Sequence, residues 1–263
     1  RGEKSVAFAL TEPDHGTGAD LGSTATKVDG GWKINGRKHL ITNSDFASHF
    51  LVFAKDTERT VTCFLVPRDA EAFRIEPYWH TMGCAGGSHG LLTFTDCFAP
   101  DSSVIGEVGK GIDALEEALE ISRVFVAASS LGTAEYALEL SIARAKERVT
   151  FKRPIADRQA IQRYLAEMAT DLDALKLMLE DCGRRWDAGE RIPAQASMTK
   201  LFGLEAVGRV TDRALLVFGG IGYTKAHKIE RLYRDARLNW LEEGTPTIQQ
   251  LVIARQVLDG YRS

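Results

Sequence analysis

The sequence is poor in the features that mark several large classes of protein. Its 263 residues include four cysteines, which are scattered and form no C-x-x-C pair, and no histidine cluster has the spacing of metal ligands. We therefore expect free thiols, a reducing compartment and no metal site. The net charge is only -3, which gives no indication of binding to nucleic acid or to an anionic membrane. No apolar run approaches the roughly 20 residues that a membrane-spanning helix needs.

What is present is the composition of a globular protein. Hydrophobic residues make up 44% of the chain and charged residues 26%, which are ordinary values for a folded domain. The length allows one large domain or two smaller ones. The chain begins at Arg1 and enters a strand-like pattern almost at once, from which we expect it to be a fragment of a longer protein.

The first part of the chain has the hydrophobic period of β-strands. Short apolar or alternating runs, separated by Gly, Pro and Asp, extend from Ser5 to about Pro100. These runs are residues 6–10, 32–35, 50–53, 61–66 and 91–94. Asp29-Gly30-Gly31, just before the second run, is typical of a hairpin turn. The pattern predicts an antiparallel β domain over residues 1–105.

The second part of the chain, from Gly111 onward, has a helical period. Apolar residues recur in steps of three and four, which places them on one stripe of a helix. The clearest stripe is Ile161, Leu165, Met168, Leu172, Leu175 and Leu179. We predict long helices over 111–148 and around 161–179, a third closed by Gly219-Gly220, and shorter ones over 227–241 and 247–258. Residues 106–263 are thus predicted to form an antiparallel four-helix bundle, and the fold class is α+β.

One acidic residue stands between two of the predicted helices. Glu243 follows the predicted helix 227–241 and precedes Gly244-Thr245 and the last helix. A carboxylate that projects into a gap between elements could serve as a general base for carbon-acid chemistry. A helix C-terminus with a glycine stop is the commoner explanation of such a motif. Taken alone, the motif leaves both interpretations open.

Several motifs together resemble those of the acyl-CoA dehydrogenase family, in the family's order and over nearly the whole chain. They are Thr11-Glu12-Pro13, Ile34-Asn35-Gly36-Arg37-Lys38, Ile41-Thr42-Asn43, Arg148-Val149-Thr150-Phe151, the glycine-rich run 218–223, Tyr233-Arg234-Asp235-Ala236 and Glu243-Gly244-Thr245. The resemblance implies an FAD-dependent enzyme that oxidises an acyl-CoA thioester between its α and β carbons. It also implies an N-terminal helical domain, which we expect to be absent from this chain.

The resemblance assigns the catalytic base to Glu243. Some members carry the base on the first long helix instead, but the matching residue here is Ser122, which cannot act as that base. The neighbouring Glu242 is more typical of a solvent-facing or ion-paired acid, although a second active-site charge is the alternative. The implied substrate-binding residues are Ala19, Glu120, Arg123 and Gly244. For Arg123, a helix-surface ion pair with Glu116 or Glu120 is an equally good interpretation.

The resemblance also implies a set of cofactor-binding residues for FAD. They are Leu10, Thr11, Leu40, Thr42, Arg148, Thr150, Phe151, Leu216, Gly219, Gly220, Thr245 and Thr247. Leu40 and Leu216 depart from the family, which more often has an aromatic residue and a glutamine at these positions. Arg148 and Thr150 match residues that reach the FAD of a neighbouring subunit, so a homodimer or homotetramer is implied.

The expected function is α,β-dehydrogenation in fatty acid metabolism, with an electron-transfer flavoprotein as the acceptor. We expect a cytoplasmic location, or the mitochondrial matrix in a eukaryote. An acyl-CoA oxidase and an enoyl-CoA reductase are alternatives of the same chemical class. A non-catalytic partner subunit is an alternative of another class. Leu40 and Leu216 favour that last alternative, and the presence of Glu243, Thr42 and Arg148 argues against it.

Overall fold

The computed structural model describes residues 2–16, 20–77 and 79–260, which form two compact units. The β unit comprises the described residues up to 81 together with 85–117. The helical unit comprises residues 82–84 and the described residues from 118 onward. The domain ranges 1–105 and 106–263 remain our proposal for the functional division of the chain.

The β unit is built around one sheet. The strands are β1 (Val6–Ala9), β2 (Thr24–Val28), β3 (Gly31–Thr42), β4 (His49–Lys55), β5 (Val61–Pro67), β6 (Phe73–Pro77), β7 (His89–Pro100) and β8 (Val104–Ile105). Among the described residues the sheet has the order β6-β7-β3-β2-β4-β5-β8, and β1 pairs with β4. All five predicted strand runs are confirmed, and β2, β6 and β8 are additional strands.

Two strand pairs depart from the predicted antiparallel arrangement. β1 runs parallel to β4, with Val6 opposite His49 and Ala9 opposite Val52. β2 also meets β4 in parallel at one residue pair, Thr24 and Lys55. The β2–β3 hairpin separates β1 from β4 in the chain, so no tight turn forces them to be antiparallel. The remaining strand pairs of the sheet are antiparallel.

The predicted hairpin turn joins β2 to β3. Val28 pairs with Gly31, and Gly30 has a φ of 72°, a left-handed conformation that glycine adopts without steric cost. A β carbon on Gly31 would lie 2.5 Å from the carbonyl oxygen of Ala99 on β7. Glycine at this position therefore allows β3 and β7 to approach each other closely.

Alternate residues of the strands fill the core of the β unit. Ile34, Phe50, Phe64 and Phe94 are almost completely buried, and the ring of Phe94 stacks on that of Phe73 at 4.7 Å between centroids. Period-2 alternation places these side chains on the inner face of the sheet.

The helical unit contains three long helices and two short ones among its described residues. They are α1 (Gly111–Glu147), whose residues up to 117 belong to the β unit, α2 (Gln159–Asp187), α3 (Pro193–Phe218), α4 (Ile229–Ala236) and α5 (Pro246–Leu258). A small hairpin, β9 (Val149–Thr150) and β10 (Arg153–Pro154), lies between α1 and α2. The α+β fold class is confirmed. On α2 the predicted stripe is buried at Met168 and Leu175, and on α3 Leu204, Val207 and Val210 face the core.

The predicted helix 227–241 is wrong in its extent. The α-helix ends at Ala236, and a short 3-10 helix, Leu238–Trp240, follows it. Within this segment the buried Asn239 donates a hydrogen bond from Nδ2 to Ser130 Oγ on α1, at 2.8 Å. A 3-10 turn is a tighter helix that often ends an α-helix, and this tertiary hydrogen bond could not be read from the hydrophobic period.

Candidate functional site

Glu243 lies in a tight turn between the 3-10 helix and α5. Its φ is 52° and that of Gly244 is 93°, so two consecutive residues have left-handed backbone conformations. This is unfavourable for a residue with a β carbon and persists only when its surroundings hold it. The Glu243 side chain is half-buried. The residue is therefore neither part of a regular helix nor a freely solvated acid.

Two buried side chains bind the backbone of this turn. Lys200 Nζ, from α3, donates hydrogen bonds to the carbonyl oxygens of Glu242 and Gly244. Gln249 Nε2, from α5, donates to the carbonyl oxygens of Glu243, at 3.0 Å, and Gly244, at 2.9 Å. All three carbonyl groups of residues 242–244 are thus satisfied by side chains rather than by helical hydrogen bonds.

The turn also has unusual electrostatics. Burial lowers the pKa of Lys200 to about 8, although the charges of Glu243 and Glu242 act in the opposite direction and Arg123 adds to the lowering. Burial, and then the charge of Glu243, raise the pKa of Glu242, while Lys200 lowers it. Of the two forms expected for Glu242, a solvent-facing or an ion-paired acid, the solvent-facing one is wrong, because the side chain is half-buried and desolvated.

Glu120 and Arg123 lie on α1 and are both buried. Glu120 accepts hydrogen bonds from Arg191 Nε at 2.8 Å and Nη2 at 2.6 Å, and from the backbone N–H of Ile192. Its carboxylate is therefore engaged at the N-terminus of α3, which is a structural role that the sequence did not suggest. Arg123 is buried rather than on the helix surface, and its ion pair with Glu116 or Glu120 stays an alternative. The predicted substrate contacts of both residues stay predictions.

In the β unit, the predicted cofactor residues Leu10, Thr11, Leu40 and Thr42 come together. Lys38 Nζ donates a hydrogen bond to the carbonyl oxygen of Leu10 at 3.1 Å. The backbone N–H of His39 donates one to the carbonyl oxygen of Thr11 at 2.9 Å. The β3–β7 register shifts between Lys38 and Ile41. Leu40, in this β-bulge, has a φ of 56° and is 44% exposed. A bulge re-aims a side chain, and here it turns Leu40 out of the core.

A buried ion pair supports this corner of the sheet. Lys38 Nζ lies 2.7 Å from Glu12 Oε1, and Glu12 also accepts hydrogen bonds from the N–H groups of Gly22 and Ser23. Burial lowers the pKa of Lys38 to about 8, against the effect of Glu12. Burial alone would raise the pKa of Glu12, but the hydrogen bonds from Lys38 and Ser23 outweigh it, so the pKa is lowered.

Arg148, Thr150 and Phe151 lie in the hairpin between α1 and α2. Phe151 and Lys152 form its turn with φ values of 49° and 64°, and Phe151 is 91% exposed. Arg158 packs over the Phe151 ring at 5.6 Å and donates to the Thr150 carbonyl oxygen at 2.8 Å. The hairpin therefore presents an aromatic side chain and the exposed Arg148 on a well-supported backbone.

Leu216, Gly219 and Gly220 lie at the C-terminus of α3. Gly219 ends the helix with a φ of 68°, as the sequence predicted, and Leu216 is exposed. Arg144, near the end of α1, packs over the ring of Phe218 at 5.7 Å, so the C-termini of α1 and α3 lie at the same end of the helical unit. Along α3 this end is roughly 28 Å from Lys200 at 1.5 Å per residue.

The predicted cofactor-binding residues of the helical unit thus fall into two groups. One group lies beside the Glu243 turn, and the other lies at the end of the unit where α1 and α3 terminate. Thr245 precedes α5, beside the Glu243 turn, and its carbonyl oxygen accepts the N–H of Gln249 at 3.1 Å. Thr247, in the first turn of α5, is exposed. Ala19 lies outside the described residues.

The residues that sequence reasoning missed are Lys200, Gln249 and the ion pair of Lys38. A signal existed for each lysine. Lys200 follows the buried Ser197 and precedes the buried Leu204 and Val207 on the same helical stripe. Lys38 continues the inward phase of Ile34 and Gly36 on β3. A lysine at a core position of a periodic pattern indicates a buried, hydrogen-bonded amine.

Comparison with known proteins identifies the family. The model for "Acyl-CoA dehydrogenase, C-terminal domain" matches residues 109–258, and the model for the family's middle domain matches residues 7–97. The chain is 39% identical over 265 residues to the 3-(aryl)acrylate reductase of Clostridium sporogenes, with 98% of this chain and 70% of that protein covered. It is 36% identical over 268 residues to the human mitochondrial short-chain specific acyl-CoA dehydrogenase, with 100% and 65% covered.

Solved structures agree with this result. Butyryl-CoA dehydrogenase from Megasphaera elsdenii superimposes with a TM-score of 0.95 at 31% identity, covering 98% of this chain and 69% of that chain. The chain belongs to the acyl-CoA dehydrogenase family, whose members are oxidoreductases. It spans between 60% and 70% of the length of several curated relatives. In the part of the chain that the structure describes, no helix is long and apolar enough to cross a membrane.

Proposed function

We propose that the protein containing this chain is an FAD-dependent oxidoreductase that acts on the α,β bond of an acyl-CoA thioester, with Glu243 as the base. The observation that carries this proposal is the Glu243 turn. A half-buried carboxylate has a left-handed backbone conformation, and buried side chains hold the carbonyl groups on both sides of it. Such a turn presents one acid in a defined direction, which a base for carbon acids needs.

The role of Glu243 follows from the acidity of the substrate. The α proton of a thioester is only weakly acidic, so a positioned base and a site of low water content are both required. Among its neighbours, Glu242 has a raised pKa and Lys200 is bound to carbonyl groups. Glu243 is the acid that the family motif assigns to proton abstraction, and we give Glu242 no direct part in this step.

The described residues are compatible with FAD. When bound, FAD accepts the hydride that leaves the β carbon. Leu40 offers exposed apolar surface in the bulge of β3, and Thr11 and Thr42 are exposed along the same corner of the β unit. We propose that Leu10, Thr11, Leu40 and Thr42 hold the flavin ring system, and that Thr245 and Thr247 also contact the cofactor.

We further propose that the hairpin end of the helical unit binds the FAD of a neighbouring subunit. Arg148 has a permanently charged, forked guanidinium that suits a pyrophosphate, and Thr150, Phe151, Leu216, Gly219 and Gly220 accompany it. The roughly 28 Å along α3 between this end and Lys200 supports a separate role for the two groups. A homodimer or homotetramer follows, with an electron-transfer flavoprotein as the redox partner.

A specific observation favours reduction of an enoyl-CoA as a second candidate function. Three of the relatives carry reductase names: the 3-(aryl)acrylate reductase, the caffeyl-CoA reductase-Etf complex subunit CarC of Acetobacterium woodii, and the acryloyl-CoA reductase (NADH) of Anaerotignum propionicum. The same base position serves either direction, because a proton removed from the α carbon in oxidation is returned to it in reduction.

The test is the spectrum of the purified, FAD-loaded protein with a panel of acyl-CoAs. We expect saturated acyl-CoAs to bleach the flavin and Glu243→Gln to retain the flavin but lose the bleaching. Undiminished bleaching in that variant would remove Glu243 from the mechanism. Reoxidation of the reduced flavin by aryl-acrylyl-CoA, but slowly by O₂, would favour the reductase direction, whereas fast reaction with O₂ would favour an oxidase.

A further inference from the structure

The Glu243 turn is held from two sides by side chains that do not belong to it. Lys200 Nζ bridges the carbonyl oxygens of Glu242 and Gly244, the residues directly before and after Glu243. Gln249 Nε2 bridges the carbonyl oxygens of Glu243 and Gly244. These four hydrogen bonds leave residues 242–244 little freedom to rotate about their backbone dihedrals.

The turn needs such support. Glu243 has a β carbon and a left-handed φ of 52°, a conformation that is unfavourable unless neighbouring groups hold it. The side chain of Thr245, the residue before α5, forms no capping hydrogen bond there. The direction of the Glu243 Cα–Cβ bond is set by the backbone of the turn, so whatever fixes the carbonyl groups also fixes the direction from which the carboxylate projects.

Burial of the Lys200 amine costs free energy that a purely structural role would not require. The Lys200 side chain is fully buried, and among the described residues no carboxylate lies within ion-pairing distance of its amine. A buried amine that hydrogen-bonds only to carbonyl oxygens loses more hydration than it regains. An apolar side chain in the same place would pack at no such cost, which argues that the amine is present for the turn.

We propose that Lys200 and Gln249 are positioning residues that fix the backbone of residues 242–244 and thereby set the direction of the Glu243 carboxylate. This inference rests on the proposed role of Glu243 as the base. Neither side chain takes part in proton transfer. Lys200 acts from α3 and Gln249 from α5, so the turn is fixed to two helices at once.

The first test is hydrogen exchange in the protein without acyl-CoA. The backbone N–H groups of Leu241 and Glu242 both donate to the Leu238 carbonyl oxygen and report on the turn. Lys200→Met keeps the length of the side chain but removes its donors and charge. We expect exchange of these two amides to become about 10-fold faster, as the loss of hydrogen bonds of ordinary strength predicts. Gln249→Met should have a smaller effect of the same sign.

The matched control is Ser197→Ala on α3, one turn before Lys200. Ser197 is also buried, and its hydroxyl has no hydrogen-bond partner within the described residues. This variant should leave the exchange of Leu241 and Glu242 unchanged. Equal exchange in Lys200→Met and Ser197→Ala would overturn the proposal.

The second test separates positioning from a general structural role. At saturating acyl-CoA, flavin reduction in folded, FAD-loaded Lys200→Met should slow by about 100-fold, which is the usual effect of a misplacement near 1 Å. The apparent Kd for acyl-CoA should change by less than about 3-fold, because uniform binding is not affected. A loss of stability without this slowing would contradict the proposal. If Lys200→Met does not fold, Gln249→Met carries the same test.

The two proposals fail in different ways. If Glu243→Gln still bleaches the flavin, the proposed function is wrong, whatever the exchange experiment gives. If Glu243→Gln loses bleaching but Lys200→Met and Gln249→Met both reduce the flavin at the rate of the unmodified protein, the base is correctly assigned and the positioning role is wrong. In the Glu243→Gln background, Lys200→Met should cause no further slowing, since it acts only through Glu243.

Discussion

Among the described residues, each of the two units has one completely buried lysine, and the two lysines have different partners. Lys38 in the β unit forms an ion pair with Glu12 and also binds the Leu10 carbonyl oxygen. Lys200 in the helical unit binds two carbonyl oxygens of the Glu243 turn and no carboxylate among the described residues. Burial lowers the pKa of both amines to about 8. Lys38 thus has a hydrogen-bonded counter-charge, whereas Lys200 has only the more distant charges of Glu242 and Glu243 and spends its hydrogen bonds on the backbone of the turn.

Removal of the Lys38 amine should cause the largest loss in the free energy of unfolding. Lys38→Met leaves Glu12, whose side chain is only 3% exposed, without its counter-charge. Breaking a buried pair in this way costs about 3–5 kcal/mol of the free energy of unfolding, which urea unfolding measures. The double variant Glu12→Gln/Lys38→Met should recover part of the loss. A loss below about 1 kcal/mol in the single variant would show that the pair is not coupled to the fold.

A smaller loss of stability is expected from a substitution at Gly244, whose carbonyl oxygen accepts a hydrogen bond from Lys200. Its φ is 93°, and a β carbon would lie 2.9 Å from Gln249 Nε2 and 3.0 Å from Ile248 Cγ2. Gly244→Ala should therefore lower the free energy of unfolding by about 2 kcal/mol. Gly132→Ala, in the middle of α1 with open space around it, is the control and should raise stability by about 0.5–1 kcal/mol. Equal changes in the two variants would mean that the turn is not tightly held.

The last effect, no larger than that of Gly244→Ala, is the pH dependence of stability that Lys200 contributes. Its pKa is about 8 in the folded protein and about 10.4 in the unfolded chain. Between these values the unfolded chain holds more protons than the native state, so this group makes stability rise with pH. From pH 8 to pH 10 the unmodified protein should gain roughly 2 kcal/mol relative to Lys200→Met. A stability difference that is constant over this window would contradict the burial of a titrating amine.

The sequence predicted those parts of the fold in which neighbours in the chain decide the structure. The long helices α1, α2 and α3 follow from their periodic apolar stripes, and the Gly219 stop and the turn at Gly30 follow from the conformational freedom of glycine. The helix break after Ala236 was not predictable from the hydrophobic period, and the segment that follows it makes a hydrogen bond from Asn239 to Ser130, more than 100 residues away in the chain. The parallel β1–β4 pair was missed for the same reason.

In the candidate site, too, local features could be predicted from the sequence and tertiary features could not. Glu243 could be found from a short motif, because its identity and the following glycine are local features. Its left-handed conformation and its support by Lys200 and Gln249 depend on α3 and α5 meeting in space. The burial of Glu242 is likewise a tertiary property, so its solvent exposure was predicted wrongly.

The most direct test of the account is the exchange of the acyl-CoA α proton with D₂O, followed by NMR in the FAD-loaded protein. The central claim is that Glu243, and not the neighbouring Glu242, is the base. Glu243→Gln should slow the exchange by about 10²–10⁴-fold, the usual contribution of a general base, while Glu242→Gln should leave it within about 3-fold of the unmodified rate. Exchange that survives Glu243→Gln and is lost in Glu242→Gln would contradict the account.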